Sequence, residues 1–315
     1  MASKLPAPAP FGPAPADQWP QPPAPRSLSP YGRPAFHSWE IPLLVLVTVC
    51  TVALYTAGIS AVATGQVSDF LLLILLAPVV VFIRRGLTYA SPRVNGIQMT
   101  PTQFPEGYYL VVEAAQRFGM SYVPDAFVVL GNGQINAFAA GHGFRRFVTV
   151  YSDLFEVGGQ ARNPDALAFI IGHEVGHIAA GHVSYWRQLA MFAMQYLPVL
   201  GSSLSRAMEY TADNHGFVNR PQGASGAMAT LGAGKYLNQH VGFDELADRA
   251  RTETGLFVWL NNLLATHPVL TWRAHALRDR SRDGNLFWRP HPARTAPTQP
   301  MVTGPAQPPA NWTTG

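Results

Sequence analysis

The sequence predicts an α+β protein, mainly helical with a small antiparallel sheet, in which two membrane-spanning helices precede the folded domain. Two dense apolar blocks within residues 41–83 predict the membrane helices. Residues 126–130, 135–139 and 146–151 are short runs rich in apolar, β-branched and aromatic residues, as is typical of strands. From residue 163 onward the pattern of apolar residues is almost wholly helical.

The two ends of the chain differ in composition from its middle. Residues 1–38 are rich in Pro-Ala repeats and residues 287–315 return to Pro, Thr and Ala, so we expect a disordered arm and a disordered tail. The folded domain is expected over residues 96–286. The formal net charge of +4 forms no basic stripe, which argues against nucleic-acid binding, and a single cysteine excludes an intrachain disulfide.

The apolar blocks predict a transmembrane hairpin within residues 39–86. Residues 41–63 carry no charge and are long enough to cross the roughly 30 Å hydrocarbon core as a helix. Residues 67–83 are at the short limit for a span, so one span followed by a buried core helix is the alternative. Basic residues flank the hairpin on both sides, whereas its link carries only Asp69. By the positive-inside rule we expect an integral, multi-pass membrane protein whose folded domain faces the cytoplasm.

A metal-binding motif occupies residues 173–177, which are His-Glu-Val-Gly-His. Asn163 as an N-cap and proline at the next position predict a helix through the motif. His173 and His177 then lie one turn apart on one face, where both imidazoles can bind one metal ion. Glu174 is displaced around the helix but can reach a water molecule beside the metal. The motif therefore predicts a single Zn²⁺ site with Glu174 as the general base.

A second acidic element lies downstream, where Glu209 and Asp213 are four residues apart and share one helix face. One carboxylate can bind zinc as the third protein ligand, and the other can accept the free N–H of a ligating histidine. We assign Glu209 to the metal and Asp213 to the supporting hydrogen bond. Taken without the histidine motif, two solvated carboxylates on a surface helix would be the simpler interpretation.

With these motifs the sequence resembles the HtpX and CAAX-prenyl-protease group of integral-membrane zinc peptidases, from about residue 97 to residue 277. The similar segments are residues 134–139, 147–156, 173–177 and 205–213, and Thr-His-Pro at 266–268 with Arg273 nearby. The resemblance implies a small zincin-like domain of the minigluzincin type that acts on a polypeptide substrate. It also implies His173, His177 and Glu209 as zinc ligands and Glu174 as the base.

The resemblance further places Asn136 and Ala137 on an edge strand beside the active site. A substrate can pair there as an added extended strand, although an ordinary asparagine near a turn is the alternative. A donor to the reaction's oxyanion is also required, and His267 and Arg206 are the candidates. His182, five residues after His177, is interpreted as a surface or supporting residue.

The sequence departs from many similar proteins in the stretch between the histidine motif and the downstream acidic element. Further transmembrane segments often lie there, but only 31 residues separate His177 from Glu209 in this chain. A double crossing does not fit that length, and a single crossing would place Glu209 across the membrane from His173. Residues 189–204 are therefore expected to form an interfacial or re-entrant turn, or a buried helix.

The sequence as a whole predicts a membrane-anchored zinc endopeptidase. Its expected substrates are membrane or membrane-proximal proteins, in a role such as protein quality control. Two alternatives stay open at this point. One is a catalytically inactive membrane scaffold of the same fold, and the other is a zinc hydrolase that acts on a non-peptide bond.

Overall fold

The computed structural model describes residues 34–156 and 163–290, except for the side chain of Phe70. Most of the predicted disordered arm and tail lies outside the described residues. Helices predominate, and the longest are α1 (Glu40–Ala63), α2 (Asp69–Asn95), α5 (Pro164–Ala179) and α7 (Pro198–Asn219). The strands are β1 (Ile97–Gln98), β2 (Asp125–Val129), β3 (Ala137–His142) and β4 (Arg145–Tyr151). Shorter helices complete the fold: α3 (Pro105–Arg117), α4 (Ser152–Phe155), α6 (Tyr185–Ala190), α8 (Ala224–Leu237), α9 (Phe243–Thr252), α10 (Leu256–Leu264) and α11 (Leu270–Arg278).

The helices α1 and α2 are both long and apolar enough to cross a membrane, by length and composition. The second helix is longer than predicted, because it begins at Asp69 under a cap from the Ser68 hydroxyl and continues to Asn95. Only 17% of its apolar window is buried, so it is not a core helix of the folded domain. At about 1.5 Å per residue, its 27 residues extend about 40 Å.

The sheet is mixed, and the prediction of an antiparallel sheet is wrong for one strand pair. The strand order is β1-β2-β4-β3, with β2 parallel to β4 and the other two pairs antiparallel. The runs at residues 126–130 and 135–139 are consecutive in the sequence but do not pair with each other, because β4 lies between β2 and β3. Residues 147–150 of β4 are all buried. A strand with a continuous buried run takes an interior position, which leaves β3 at the edge.

The helix α5 lies at the centre of the folded domain. It begins at Asn163, whose side-chain oxygen accepts a hydrogen bond from the Ala166 N–H at 2.9 Å, as the capping pattern predicts. Its apolar side chains, including Phe169 and Ile171, are part of the main hydrophobic core. Helices α3, α7 and α8 and strand β3 all pack against it. The histidine motif therefore lies on the most enclosed helix of the domain.

Small residues allow α5 and α7 to approach each other closely. A Cβ on Gly172 would lie 2.7 Å from the Cβ of Asn219, and a Cβ on Gly176 would lie less than 3.0 Å from the Cβ of His215. The Asn219 amide also donates to the Ala168 carbonyl oxygen at 2.9 Å. The contact leaves no room for a larger residue on α5, so the distance between the two helices is fixed.

The segment between α5 and α7 lies beside α1. Residues 189–204 comprise the end of α6, a 3-10 turn at Phe192–Tyr196 and the start of α7 at Pro198. The Thr51 hydroxyl, at the middle of α1, donates to the Ala190 carbonyl oxygen at 2.7 Å and accepts from the Ala193 N–H at 3.0 Å. The segment is thus a helical turn that is held against α1 by hydrogen bonds.

We expect Gly176→Ala to destabilise the protein, because the added methyl group would collide with His215. Overpacking of this kind costs about 1–3 kcal/mol. Thermal unfolding in detergent with a chelator present measures the loss without a contribution from metal binding. Gly242→Ala is the matched control, since the nearest atoms to its added carbon are in the flexible Glu245 side chain at 3.3 Å. Equal unfolding temperatures for both variants would contradict the proposed role of the glycine contact.

Candidate metal centre

Three predicted ligands meet where α5 crosses α7. The Nε2 atoms of His173 and His177 are 3.2 Å apart. The Glu209 carboxylate lies 3.5 Å from the first nitrogen and 3.4 Å from the second. One ligand atom from each residue can be chosen so that all three lie within 4.8 Å of one another. The structure therefore brings together the three side chains that the spacing rules had placed on two separate helices.

The distances between these atoms fit a tetrahedral zinc site. Zinc bonds of about 2.0–2.1 Å in a tetrahedron separate the ligand atoms by about 3.3–3.4 Å. The two imidazole nitrogens, 3.2 Å apart, are close to that value, and each lies at a similar distance from a different oxygen of Glu209: His173 is 3.5 Å from Oε2 and His177 is 3.4 Å from Oε1. Two imidazoles and one carboxylate also form a donor set typical of catalytic zinc, which leaves a fourth position open. The residues present therefore fit the ion.

Asp213 contacts His173 directly. Its Oδ1 atom lies 2.9 Å from His173 Nδ1, which turns the other ring nitrogen, Nε2, toward Glu209. Arg273 holds the carboxylate with two hydrogen bonds of 2.9 and 2.6 Å. Burial would raise the pKa of Asp213, but Arg273 and His173 outweigh it and lower the pKa to about 2. Asp213 is therefore ionised throughout the physiological range.

The same contacts act on His173. Burial lowers the pKa of its imidazole, but the hydrogen bonds to Asp213 and Glu209 outweigh that effect and raise the pKa to about 10. At neutral pH the ring therefore carries a proton on each nitrogen, unless a metal ion replaces the proton on Nε2. Metal binding must then release that proton, so the affinity for a cation is expected to increase with pH.

His182 supports the other histidine. Its Nδ1 atom lies 2.8 Å from His177 Nδ1, and its Nε2 atom lies 3.1 Å from an oxygen of Glu40. The ring is only 3% exposed, so the prediction of a surface position is wrong and the supporting role is the one the contacts favour. Burial lowers the pKa of His182 to about 4, so the ring is neutral at pH 7.

Glu174 has a position suited to a general base. It is 8% exposed and follows His173 directly on α5. Among the described residues, no hydrogen bond or ion pair engages its carboxylate. A buried carboxylate without a protein partner needs another polar group, and a water molecule at the open metal position would provide one.

The two candidates for the oxyanion donor have different surroundings. Arg206 is fully buried and donates to the carbonyl oxygens of Leu263, Ala265 and Leu286, so its guanidinium joins the end of α10 to the segment after α11 and is not available to a substrate. The His267 side chain is 66% exposed, and its Nε2 atom lies 3.4 Å from Glu209. His267 therefore stays the predicted donor to the oxyanion.

The strand β3 forms one edge of the sheet and contacts α5. The Tyr151 N–H donates to the Asn136 carbonyl oxygen at 3.0 Å, so this backbone group of Asn136 is already hydrogen-bonded to β4. In an antiparallel pair the hydrogen-bonded residues alternate. Together with the register of Ala137 opposite Val150, this directs the backbone groups of Ala137, Ala139 and Gly141 toward the free edge.

Two residues support the site through contacts that the sequence motifs do not reveal. Arg273 was noted only for its proximity to the Thr-His-Pro segment, and its double hydrogen bond to Asp213 requires the folded structure. No sequence motif assigns a role to Glu40. A single carboxylate directly before more than twenty uncharged residues is an unusual placement, and that signal was available in the sequence.

Comparison with known families agrees with the site. The profile of peptidase family M48 matches residues 108–194 and 185–281, which together span more than half of the chain. The chain belongs to peptidase family M48. The resemblance drawn from the sequence motifs is thereby confirmed, and membership supports a metallopeptidase that acts on a polypeptide.

Proposed function

We propose that the protein is a membrane-anchored zinc endopeptidase that cleaves membrane or membrane-proximal proteins, in a role such as protein quality control. The observation that carries the proposal is the triangle of His173, His177 and Glu209, in which the two Nε2 atoms are 3.2 Å apart and each lies 3.4–3.5 Å from a Glu209 oxygen, close to the ligand spacing of a tetrahedral zinc site. Family membership adds the type of reaction, and Glu174, which follows His173 directly on α5, adds the base.

The chain's own residues account for the remaining steps of peptide hydrolysis. A zinc ion held by the triangle would supply Lewis acidity, which polarises the scissile carbonyl and makes water a nucleophile near neutral pH. Glu174 takes the proton of the attacking water and returns it to the departing amine. Asp213 and Arg273 keep the His173 ring in place during these steps.

We expect Glu174→Gln to retain zinc but lose about 10²–10⁴-fold in peptide cleavage, since the amide cannot accept the proton. Bound zinc and cleavage of casein or a membrane protein in detergent measure both properties. His177→Ala should lose zinc as well as activity, because a ligand is removed. Full turnover by Glu174→Gln would contradict the mechanism, and a wild-type protein that binds zinc but cleaves nothing would favour the inactive scaffold.

The free edge of β3 is the proposed site for the substrate backbone. Its outward backbone groups at Ala137, Ala139 and Gly141 can pair with an extended polypeptide, and the strand contacts the helix that carries His173. Main-chain pairing gives affinity with little demand on the sequence of the substrate. This is compatible with an enzyme that acts on many proteins.

We expect Ala139→Pro to weaken substrate binding, because proline removes an N–H that faces the free edge and leaves the hydrogen bonds to β4 in place. KM for a polypeptide should increase several-fold while bound zinc stays unchanged. Ala140→Pro is the contrasting variant, since it removes a hydrogen bond to β4 and should lower stability. If Ala139→Pro cleaves with an unchanged KM, the substrate does not pair at this edge.

The anchor is proposed to include the turn before α7 as well as α1 and α2. Thr51 at the middle of α1 binds the turn, and the Tyr185 hydroxyl donates to the Pro78 carbonyl oxygen near the middle of α2 at 3.0 Å. The rings of Tyr55 and Phe192 are 5.7 Å apart, still farther along α1. If both helices cross the bilayer, these contacts place the turn at membrane depth, where α1 supplies partners for its backbone.

Spin labels can test this placement in reconstituted bilayers, after Cys50 is replaced by alanine. A label at Tyr196, in the turn, should be accessible to oxygen and protected from a water-soluble quencher, as a label at Val52 of α1 should be. A label at Glu253, on the folded domain, should show the opposite pattern. If the Tyr196 label is exposed to water while the Val52 label is exposed to lipid, only the embedded turn is excluded. If the Val52 label is exposed to water, the anchor itself is excluded.

A further inference from the structure

Glu40, the first residue of α1, is completely buried against the metal centre's supporting residues. Its Oε1 atom accepts hydrogen bonds from His182 and Arg187, and its Oε2 atom accepts one from the Thr211 hydroxyl. Three donors from the folded domain thus converge on one carboxylate at the start of an apolar helix. Such burial is costly for a charged group unless it is fully paired, and here it is.

The chain of hydrogen bonds from Glu40 to His177 has only one consistent direction. To offer Nε2 to a metal, His177 must carry its proton on Nδ1 and donate it to His182 Nδ1. His182 must then carry its own proton on Nε2, which points to Glu40 at 3.1 Å. An ionised carboxylate only accepts, so Glu40 selects the tautomer of His182, and His182 selects the tautomer of His177.

We propose that Glu40 is a positioning residue of the metal centre, which acts through His182 to fix the tautomer and ring orientation of His177. The inference rests on the proposed zinc site. It makes the first residue of the membrane-anchor helix a part of the site's support, although Glu40 lies outside the segment that matches the family. The anchor thereby contributes to metal binding as well as to localisation.

The geometry distinguishes this role from a simple ion pair between Glu40 and Arg187. An ion pair would hold α1 to α6 without any histidine, yet His182 lies between Glu40 and His177 and uses both of its ring nitrogens. The two metal-binding histidines are also supported alike. His173 contacts an arginine-paired carboxylate directly, and His177 reaches one through one intervening imidazole.

The test measures the zinc dissociation constant of the full-length protein in detergent, by competition with a chromophoric chelator. His182→Ala removes the acceptor for His177, and outer partners of this kind are worth about 10–100-fold in metal affinity. His182→Asn keeps an acceptor oxygen near the position of Nδ1 but cuts the link to Glu40, so we expect an intermediate loss of about tenfold. Glu40→Gln, which removes the charge, should also lose about tenfold.

The decisive comparison combines the variants. If Glu40 acts through His182, Glu40→Gln should weaken zinc binding in the wild-type background and have no further effect in the His182→Asn background. Glu113→Gln is the matched control, because Glu113 also pairs with an arginine, Arg220, but does not contact the centre. Thermal unfolding with a chelator present reports whether each variant is folded.

The inference is overturned if the losses of the two variants multiply, or if His182→Asn binds zinc within about twofold of the wild-type protein. The second result needs no substitution at Glu40, so it decides the question even if Glu40→Gln does not fold. A wild-type protein that binds no zinc would instead refute the proposed metal site. If the wild-type protein binds zinc and the variants bind it with the same dissociation constant, only the role of Glu40 is refuted.

Discussion

The close contact between α5 and α7 is the constraint on which the rest of the structure depends. Gly172 and Gly176 on α5 leave space only for the backbone and first carbons of α7, so the two helices have one spacing. That spacing brings the Glu209 carboxylate to about 3.4–3.5 Å from both imidazoles. Tight packing of this kind resists small displacements, and a metal site tolerates only small errors in ligand position.

Buried charge is the second feature that organises the site. Glu209, Asp213 and Arg273 all lie in the interior, where an unpaired charge would be strongly unfavourable. The opposite charges and the imidazoles satisfy one another, and their hydrogen bonds orient each ring nitrogen toward the shared centre. The same pairing that makes burial tolerable therefore selects the geometry that the proposed zinc site needs.

The proposed membrane anchor is continuous with the folded domain. Leu43 and Val47 of α1 pack in one cluster with residues of α7, and Thr51 binds the turn before that helix. A rigid connection follows from these contacts, in contrast to a catalytic domain on a flexible tether. In an enzyme that cleaves membrane proteins, such a connection would keep the site at a constant distance from the bilayer.

The sequence by itself determined the features that depend on neighbours along the chain. The spacing of His173 and His177, the spacing of Glu209 and Asp213, and the lengths of the apolar blocks are local, because helix geometry relates residues three or four apart. Only the tertiary structure decided the order of the strands, the structural use of Arg206 and the contact of Glu40 with His182, 142 residues farther along the chain. Those outcomes depend on which surfaces pack together, and packing is a property of the whole folded chain that no local pattern encodes.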